Sequence, residues 1–350
     1  MAQEFSRRAS GVPATLASGA MSPPILLAVP NVSEGRDADT IAAIGAAFAG
    51  EQGEPCAGES AHEPRGHEPR EHAPAVAVRL LNVHTDPDHH RTVFTLAGPP
   101  SELADALVRG ARVAVERIDV IARARGPADQ RGQHPHVGAL DVAPIVYPDP
   151  SEQGVACALA LVLGDRLAAE LEVPVFLYGE LSGEDTLSRR SRAQLRRGGI
   201  AGLSERMADP ARPLAPDFGP ARMHPRAGAT LVAARPPLVA FNLQLSPPAT
   251  VDDARAIAVR IREGGSEGLP GLRAIGVALR DGRAQVSMNV ERPHELPLAR
   301  VVQAVREHAR VADAELVGLA PAAAFAGFPA DVPIPGFDPA GQLLENALGS

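Results

Sequence analysis

LRAIGVALRDGRAQVSMNV, residues 272–290, decides how the chain is read. Two apolar runs flank Asp281-Gly282, a two-residue turn signal in which Gly supplies the positive φ. The stretch therefore reads as a β-hairpin with strands at 272–279 and 284–290. On its N-terminal side lie an apolar strand at 238–245 and a helical pattern at 251–263. On its C-terminal side lie a helical pattern at 296–311 and a strand at 315–319. The order is β-α-β-β-α-β. The first half repeats it: strand 25–29, helix 37–49 capped by Asp37, strands 75–83 and 92–97, helix 101–121, strand 140–147. A further helix, 154–171, and strand, 173–178, follow. The expected fold is α/β (α+β), built as two ferredoxin-like β-α-β-β-α-β subdomains whose sheets carry helices on one face.

The expected boundaries follow from composition. Residues 1–23 read as a disordered extension, with Met21 as a second possible start. The first subdomain runs over 24–236 and the second over 237–320; 328–350, rich in Pro and Gly, reads as a flexible tail. Within the first subdomain, 51–74 holds HEPRG and then HEPRE. Proline at every fifth residue there prevents both helix and ladder, so the segment reads as a disordered insertion. Metal capture by His62, His67 and His72 is the other reading of it.

Several chemistries are excluded early. The chain has no Lys, so all 34 basic residues are Arg. Schiff-base, phosphate-loop and lysine-base mechanisms are therefore absent. A net charge of -8 argues against nucleic acid and anionic membranes as partners. With 3% aromatics and no Trp, base-stacking platforms are a poor fit. Two Cys in unrelated contexts suggest no disulfide framework, which makes a cytoplasmic location the default. No apolar run approaches the ~20 residues of a membrane span.

Five polar clusters punctuate the elements. VPNVSEG (29–35) reads as a strand end and helix cap, or as a ligand-facing turn. HTDPDHHR (84–91) reads as a substrate-facing or plain loop between two strands. A metal site on His84, Asp86, Asp88 and His89, as in a metal-dependent hydrolase, is the rival. In GQHPHVGALDVAP (132–144), Pro135 pins the backbone between His134 and His136, and Asp141 lies seven residues past His134. A rigid imidazole at a strand mouth suits general acid/base work; loop capping is the plain alternative. LYGELSGEDTLSRRSRAQLRRGG (177–199) ends a strand at Tyr178-Gly179-Glu180. It then places Arg189, Arg190, Arg192, Arg196 and Arg197 close together, as either a solvated helix or a carboxylate site. The fifth, 216–245, carries Arg222, His224 and Arg226 in a Gly/Pro-rich loop, then an apolar run with Asn242, which needs a polar partner.

These blocks, in this order, resemble the formiminotransferase domain family. The matching stretches are VPNVSEG, DPDHHRTVFTLAGPP, HPHVGALDVAP, VPVFLYGE, PDFGP and HPRAGATLVAARPPLVAFNLQL, with the half that follows, over about 26–319. The resemblance implies two α/β subdomains and transfer of a formimidoyl group from N-formimidoyl-L-glutamate to N5 of tetrahydrofolate, the co-substrate, in histidine degradation. It implies a homodimer without metal, and no companion cyclodeaminase domain. It puts the catalytic histidine at His134. It puts the folate loop at Gly219, Pro220, Ala221, Arg222, Met223, His224, Pro225, Arg226, Ala227 and Gly228. Candidate substrate contacts are His84, Arg91, His136, Asp141, Tyr178, Glu180 and Asn242. His136 stands where the family usually has Arg, and His84 where an acidic residue is common. A family member with a formyl donor, or one that binds folate without turnover, is the alternative.

Overall fold

The structure, a computed structural model, describes residues 24–50, 77–127, 132–133, 135–183 and 189–349. The N-terminal extension, the 51–74 insertion and His134 lie outside the described residues.

The first sheet begins with β1 (Leu26–Ala28) and β2 (Asn31–Val32). Both pair with the same two neighbours, so they form one strand interrupted at Pro30. Then come α1 (Ala38–Ala49), β3 (Arg79–Asp86), β4 (Arg91–Gly98), α2 (Pro100–Arg117), α3 (Val120–Arg125) and β5 (Leu140–Val146). The chain continues through α4 (Gln153–Leu171), β6 (Val175–Leu177), α5 (Arg192–Leu195), α6 (Gly199–Ala208) and β7 (Thr230–Arg235). The spatial order is β3-β4-(β1, β2)-β5-β7-β6. Its first four positions are antiparallel; β7 joins β5, and β6 joins β7, in parallel.

The second sheet holds β8 (Val239–Leu245), β9 (Leu272–Ala278), β10 (Ala284–Val290) and β11 (Val311–Val317). Between them lie α7 (Val251–Ile261) and α8 (Leu298–Arg306). The order β11-β8-β10-β9 is antiparallel throughout, the arrangement of a ferredoxin-like unit. Helices cover one face of the second sheet; in the first, α1, α2 and α4 cover one face, and Leu195 of α5 with Leu203 and Met207 of α6 pack on Val142, Phe176, Leu231 and Ala233 of the other. Val239, Phe241, Leu243 and Leu245 pack with Ile257, Ile261, Val301 and Val305. Leu26, Ala28, Phe94, Leu96 and Ile145 pack with residues of α1, α2 and α4. Among the described residues no helix is long and apolar enough to cross a membrane.

Four local readings are corrected. The 84–91 cluster is not a loop: β3 runs through His84 to Asp86 and β4 begins at Arg91, so only four residues turn. Cross-strand pairing has overridden the weak strand preference of the polar run. The helix expected to reach 121 stops at Arg117; Ile118 is extended, and the Asp119 side chain caps α3 by accepting from Ala122 N–H. TLVAAR, read only as the start of a long apolar run, is β7, the strand between β5 and β6.

The expected flexible tail is packed instead. Phe328 and Phe337 join the second core, with Phe325 and Phe337 stacked at 4.9 Å. Val332 is buried, and Ala314 N–H donates to Pro333 O at 2.9 Å. Two short helices, α9 (Pro339–Gln342) and α10 (Leu344–Gly349), then cross to the first sheet. There Leu344 and Leu348 pack with Leu27, Ala97 and Val146. The tail thus ties the two halves together.

The α1–α2 contact is set by one glycine. A Cβ at Gly110 of α2 would lie 2.1 Å from a ring carbon of Phe48, itself fully buried and edge-on to Phe94. Gly110→Ala gains about 1 kcal/mol of helix propensity. Overpacking costs about 1–3 kcal/mol in a tight core. The variant is therefore expected to be net destabilised, read as a lower urea midpoint at an unchanged slope.

Candidate active site

Strand alternation gives each sheet a second face, and these two faces oppose one another. In β4, Phe94 and Leu96 point to the helices, so Arg91, Val93 and Thr95 point the other way. In β8, Val239 and Phe241 enter the core, so Ala240 and Asn242 point the other way. Between the faces runs a cleft lined by Asn31, Arg91, Val93, Thr95, Ala240, Asn289 and Val317, with Leu344 at one end.

Four arginines enter this cleft: Arg91, Arg192, Arg196 and Arg235. Arg192 and Arg196 lie four apart on α5, which Ser191 and Gln194 start as a capping box. That spacing puts both on one helix face. Burial is the main cause that pushes Arg91 and Arg235 down to about 10, and it lowers Arg196 too. All three remain charged at neutral pH. The Nε atoms of Arg91, Arg196 and Arg235 are buried without a hydrogen-bond partner among the described residues. Buried guanidinium groups in excess of carboxylate are costly unless an anion completes them.

One carboxylate links these arginines to the HPHVGALD stretch. Asp141 is buried, accepts from Val137 N–H at 2.8 Å and binds Arg196. The same stretch is zipped to the Gly219–Gly228 loop by backbone bonds. Ala139 N–H donates to Ala227 O at 2.8 Å, and Ala229 N–H to Val137 O at 2.9 Å. Two glycines allow this approach: a Cβ at Gly138 would lie 1.9 Å from Ala229 O, and one at Gly228 2.2 Å from Val137 O. The loop is tightened internally. His224 and Gly228 exchange both backbone bonds, and His224 Nδ1 accepts from Ala227 N–H at 2.9 Å. Burial lowers the His224 pKa, which favours this neutral acceptor.

Beneath lies a second buried cluster. Glu34 Oε1 accepts from the N–H groups of Gly35, Arg36 and Asp37, and Oε2 from Arg123 at 2.7 Å. Burial alone would raise the Glu34 pKa; these donors outweigh it and lower it. His90, in the left-handed region at φ 51°, accepts from Gly35 N–H through Nδ1 at 3.1 Å. Burial, with Arg123 nearby, pushes His90 down to about 4, so it is neutral here. Asp86 is paired to His89, which holds it at about 2 against the opposing effect of burial. Gln133 N–H donates to Asp88 O at 3.1 Å, seating the chain next to the HPHVGALD stretch on this turn.

A profile of the formiminotransferase domain, N-terminal subdomain, matches residues 25–235. The chain belongs to the formiminotransferase domain family. It is 35% identical over 281 residues to glutamate formimidoyltransferase of Streptococcus pyogenes serotype M1, covering 77% of this chain and 89% of that protein. It is 31% identical over 300 residues to glutamate formimidoyltransferase of Thermoplasma acidophilum, covering 84% and 87%. Against formimidoyltransferase-cyclodeaminase of Mus musculus it is 34% identical over 306 residues, spanning 49% of that protein.

Of the site residues expected in this formiminotransferase chain, Arg91 lines the cleft and Asp141 binds Arg196, one of its arginines. Tyr178 is buried beside Arg235. His84 and Asn242, from opposite sheets, meet on Glu315. His136 is half-buried near His90. Glu180 is placed elsewhere, accepting from Gln153 of α4 at 2.7 Å. Arg222 is exposed, and Arg226 reaches Asp119 at 3.3 Å. His84, Asp86 and His89 are thus divided between two partners. Among the described residues no group of three or more His, Cys, Asp or Glu is placed to hold a metal. Sequence reasoning missed Glu315, Arg235 and the Glu34–Arg123 pair. The i, i+4 spacing of Arg192 and Arg196 was the available signal for the arginine face.

Two outcomes follow. Gly138→Ala must push the 137–139 and 227–229 backbones apart; a folded variant with weaker folate binding is expected, by circular dichroism and titration. For His90, the folded pKa of about 4 lies below the ordinary 6.5. Between these values the unfolded chain binds the extra proton, so stability falls as pH drops through that window. Urea midpoints should fall less across it in His90→Asn than in the wild type.

Proposed function

We propose that this chain transfers a formimidoyl group from N-formimidoyl-L-glutamate to N5 of tetrahydrofolate and releases glutamate. The observation that carries the reading is the backbone zipper joining 137–139 to 227–229, with Asp141 coupling it to the arginine cleft. The names of the full-length relatives support the same activity.

The chemistry asks for three things. N5 attacks the amidine carbon and a C–N bond forms, giving a tetrahedral adduct. N5 must then lose its proton and the glutamate nitrogen must gain one before the old C–N bond breaks. An imidazole serves both transfers, and the proposal assigns this to His134. The carboxylates of glutamate and of the folate tail need cations, for which Arg91, Arg192, Arg196 and Arg235 are suited by planar, bidentate pairing. Water exclusion by the opposed faces strengthens those pairs. The pterin is assigned to the Gly219–Gly228 loop. On the family resemblance, the proposal extends to a cytoplasmic homodimer that needs no resident metal and binds no nucleic acid.

The test is a turnover assay with both substrates. His134→Ala should lower kcat by about 100-fold or more, the usual size of an acid/base contribution, with tetrahydrofolate affinity retained. Arg91→Gln should chiefly raise KM for the glutamate donor. A His134→Ala enzyme with near-normal kcat removes that residue from the chemistry.

A further inference from the structure

The donor in the proposed reaction carries both signs of charge. Its two carboxylates suit the arginines, but its amidine is a strong base and is a cation at neutral pH. Four guanidinium groups repel such a group unless a carboxylate is open to it.

Among the described residues the carboxylates near the cleft can be taken one by one. Glu291 is paired with Arg273 at 3.3 Å. Asp141 is closed by Val137 N–H and Arg196. Asp86 is closed by the N–H groups of Asp88 and His89 and by the His89 ring. Glu34 is closed by three backbone N–H groups and Arg123. Asp313 faces Arg283 at 3.5 Å. Glu315 differs in partner and exposure: like Asp141 it accepts one bond on each oxygen, but from His84 Nε2 at 3.1 Å and Asn242 Nδ2 at 2.8 Å rather than from an arginine. A carboxylate has about four acceptor sites, so each oxygen can take one more donor. The Glu315 side chain is 30% exposed, against 4% for Asp141 and 7% for Glu34.

Its position fits the cleft. On β11, Ala314 and Leu316 enter the core, so Glu315 and Val317 share the inner face, about 7 Å apart along the strand. Val317 lines the arginine cleft. Across from it, His84 pairs with Val93 in the β3–β4 register, and Val93 lines the same cleft two residues from Arg91. His84 and Asn242 hold the carboxylate from opposite sheets, which fixes its direction.

We propose that Glu315 is the donor-specificity residue, its carboxylate accepting the two N–H groups of the cationic amidine, with His84 and Asn242 as its positioning residues. This rests on the transferase reading above. It also gives His84 a role that a free acid at that position would not have: an imidazole can hold a carboxylate that a second acid would repel.

The experiment compares wild type with Glu315→Gln on the full chain, by steady-state kinetics and calorimetric titration. The probes are N-formimidoyl-L-glutamate and its neutral isostere N-formyl-L-glutamate. For one charge-assisted pair, affinity for the formimidoyl compound should fall by about tenfold or more, while N-formyl-L-glutamate changes by less than about twofold. Equal loss for both compounds would mark Glu315 as structural and overturn the proposal, as would loss for neither. A wild-type chain that neither binds nor turns over the donor overturns the transferase reading itself. A wild type that does both, beside an unaffected Glu315→Gln, overturns only the role of Glu315. Unchanged binding of the formyl compound by the variant also shows that it has folded.

Discussion

A sheet with helices on one side has another side to cover. That constraint governs this molecule. Each half buries one sheet face under its own helices; α5 and α6 cover part of the first sheet's other face, and the rest of it meets the second sheet. A dry, apolar meeting would have made one larger core. Here alternate positions of β4 supply Arg91 and Thr95 to the lining, while β8 and β11 supply Asn242 and Glu315 to a hydrogen-bonded pair near it. The result is a cleft, because buried polar groups need partners that neither face fully provides. An apolar part of the contact forms where α10 sets Leu344 against Leu27 and Val146. Packing there holds the halves together, so the charged remainder is free to serve a ligand.

The charge in that cleft follows from the composition. In a chain without Lys, every cation that enters a site is a guanidinium. Guanidinium is less strongly hydrated than ammonium and keeps its proton when buried, so it tolerates the interior better. Burial pushes Arg91 and Arg235 down to about 10, still well above neutral. Among the described residues the lining thus stays positive; Asp141 binds one of its arginines, and Glu315 lies two residues from Val317, which lines it. Asp141 spends its charge on Arg196 and on orienting Val137, whereas Glu315 is held by an imidazole and an amide. The contrast separates a structural carboxylate from one with capacity left for a cation.

Much of the fold was legible because local signals agreed with it. Asp281-Gly282 marks the β9–β10 hairpin, and Asp37 caps α1 as its position suggests. What was not legible depended on partners far along the chain. His84 and Asp86 flank Thr85 with weak strand preference, and the run becomes strand through pairing with Arg91, Thr92 and Val93. The last segment has no periodicity, and it packs through single aromatic contacts that no window of sequence reveals. The same limit applies to the site. Motif blocks located Asp141 and the 219–228 loop, but Glu315 is one alternate residue of a plain strand. Its meaning depends on His84, 231 residues earlier.

The histidines show why residue type alone does not name a function. His84 and His89 carry a metal reading in the sequence, yet they and two further described histidines each have a different environment. His89 is buried against Asp86, which holds that carboxylate charged. His90 is neutral and accepts a backbone N–H under a roof of arginines. His84 reaches across to the other sheet, and His224 closes a five-residue turn from within. Each ring works as a donor or acceptor suited to one local need, so none is left to share a cation with the others. The proposed acid/base role, assigned to His134, therefore rests on the reaction it would serve and not on the number of imidazoles.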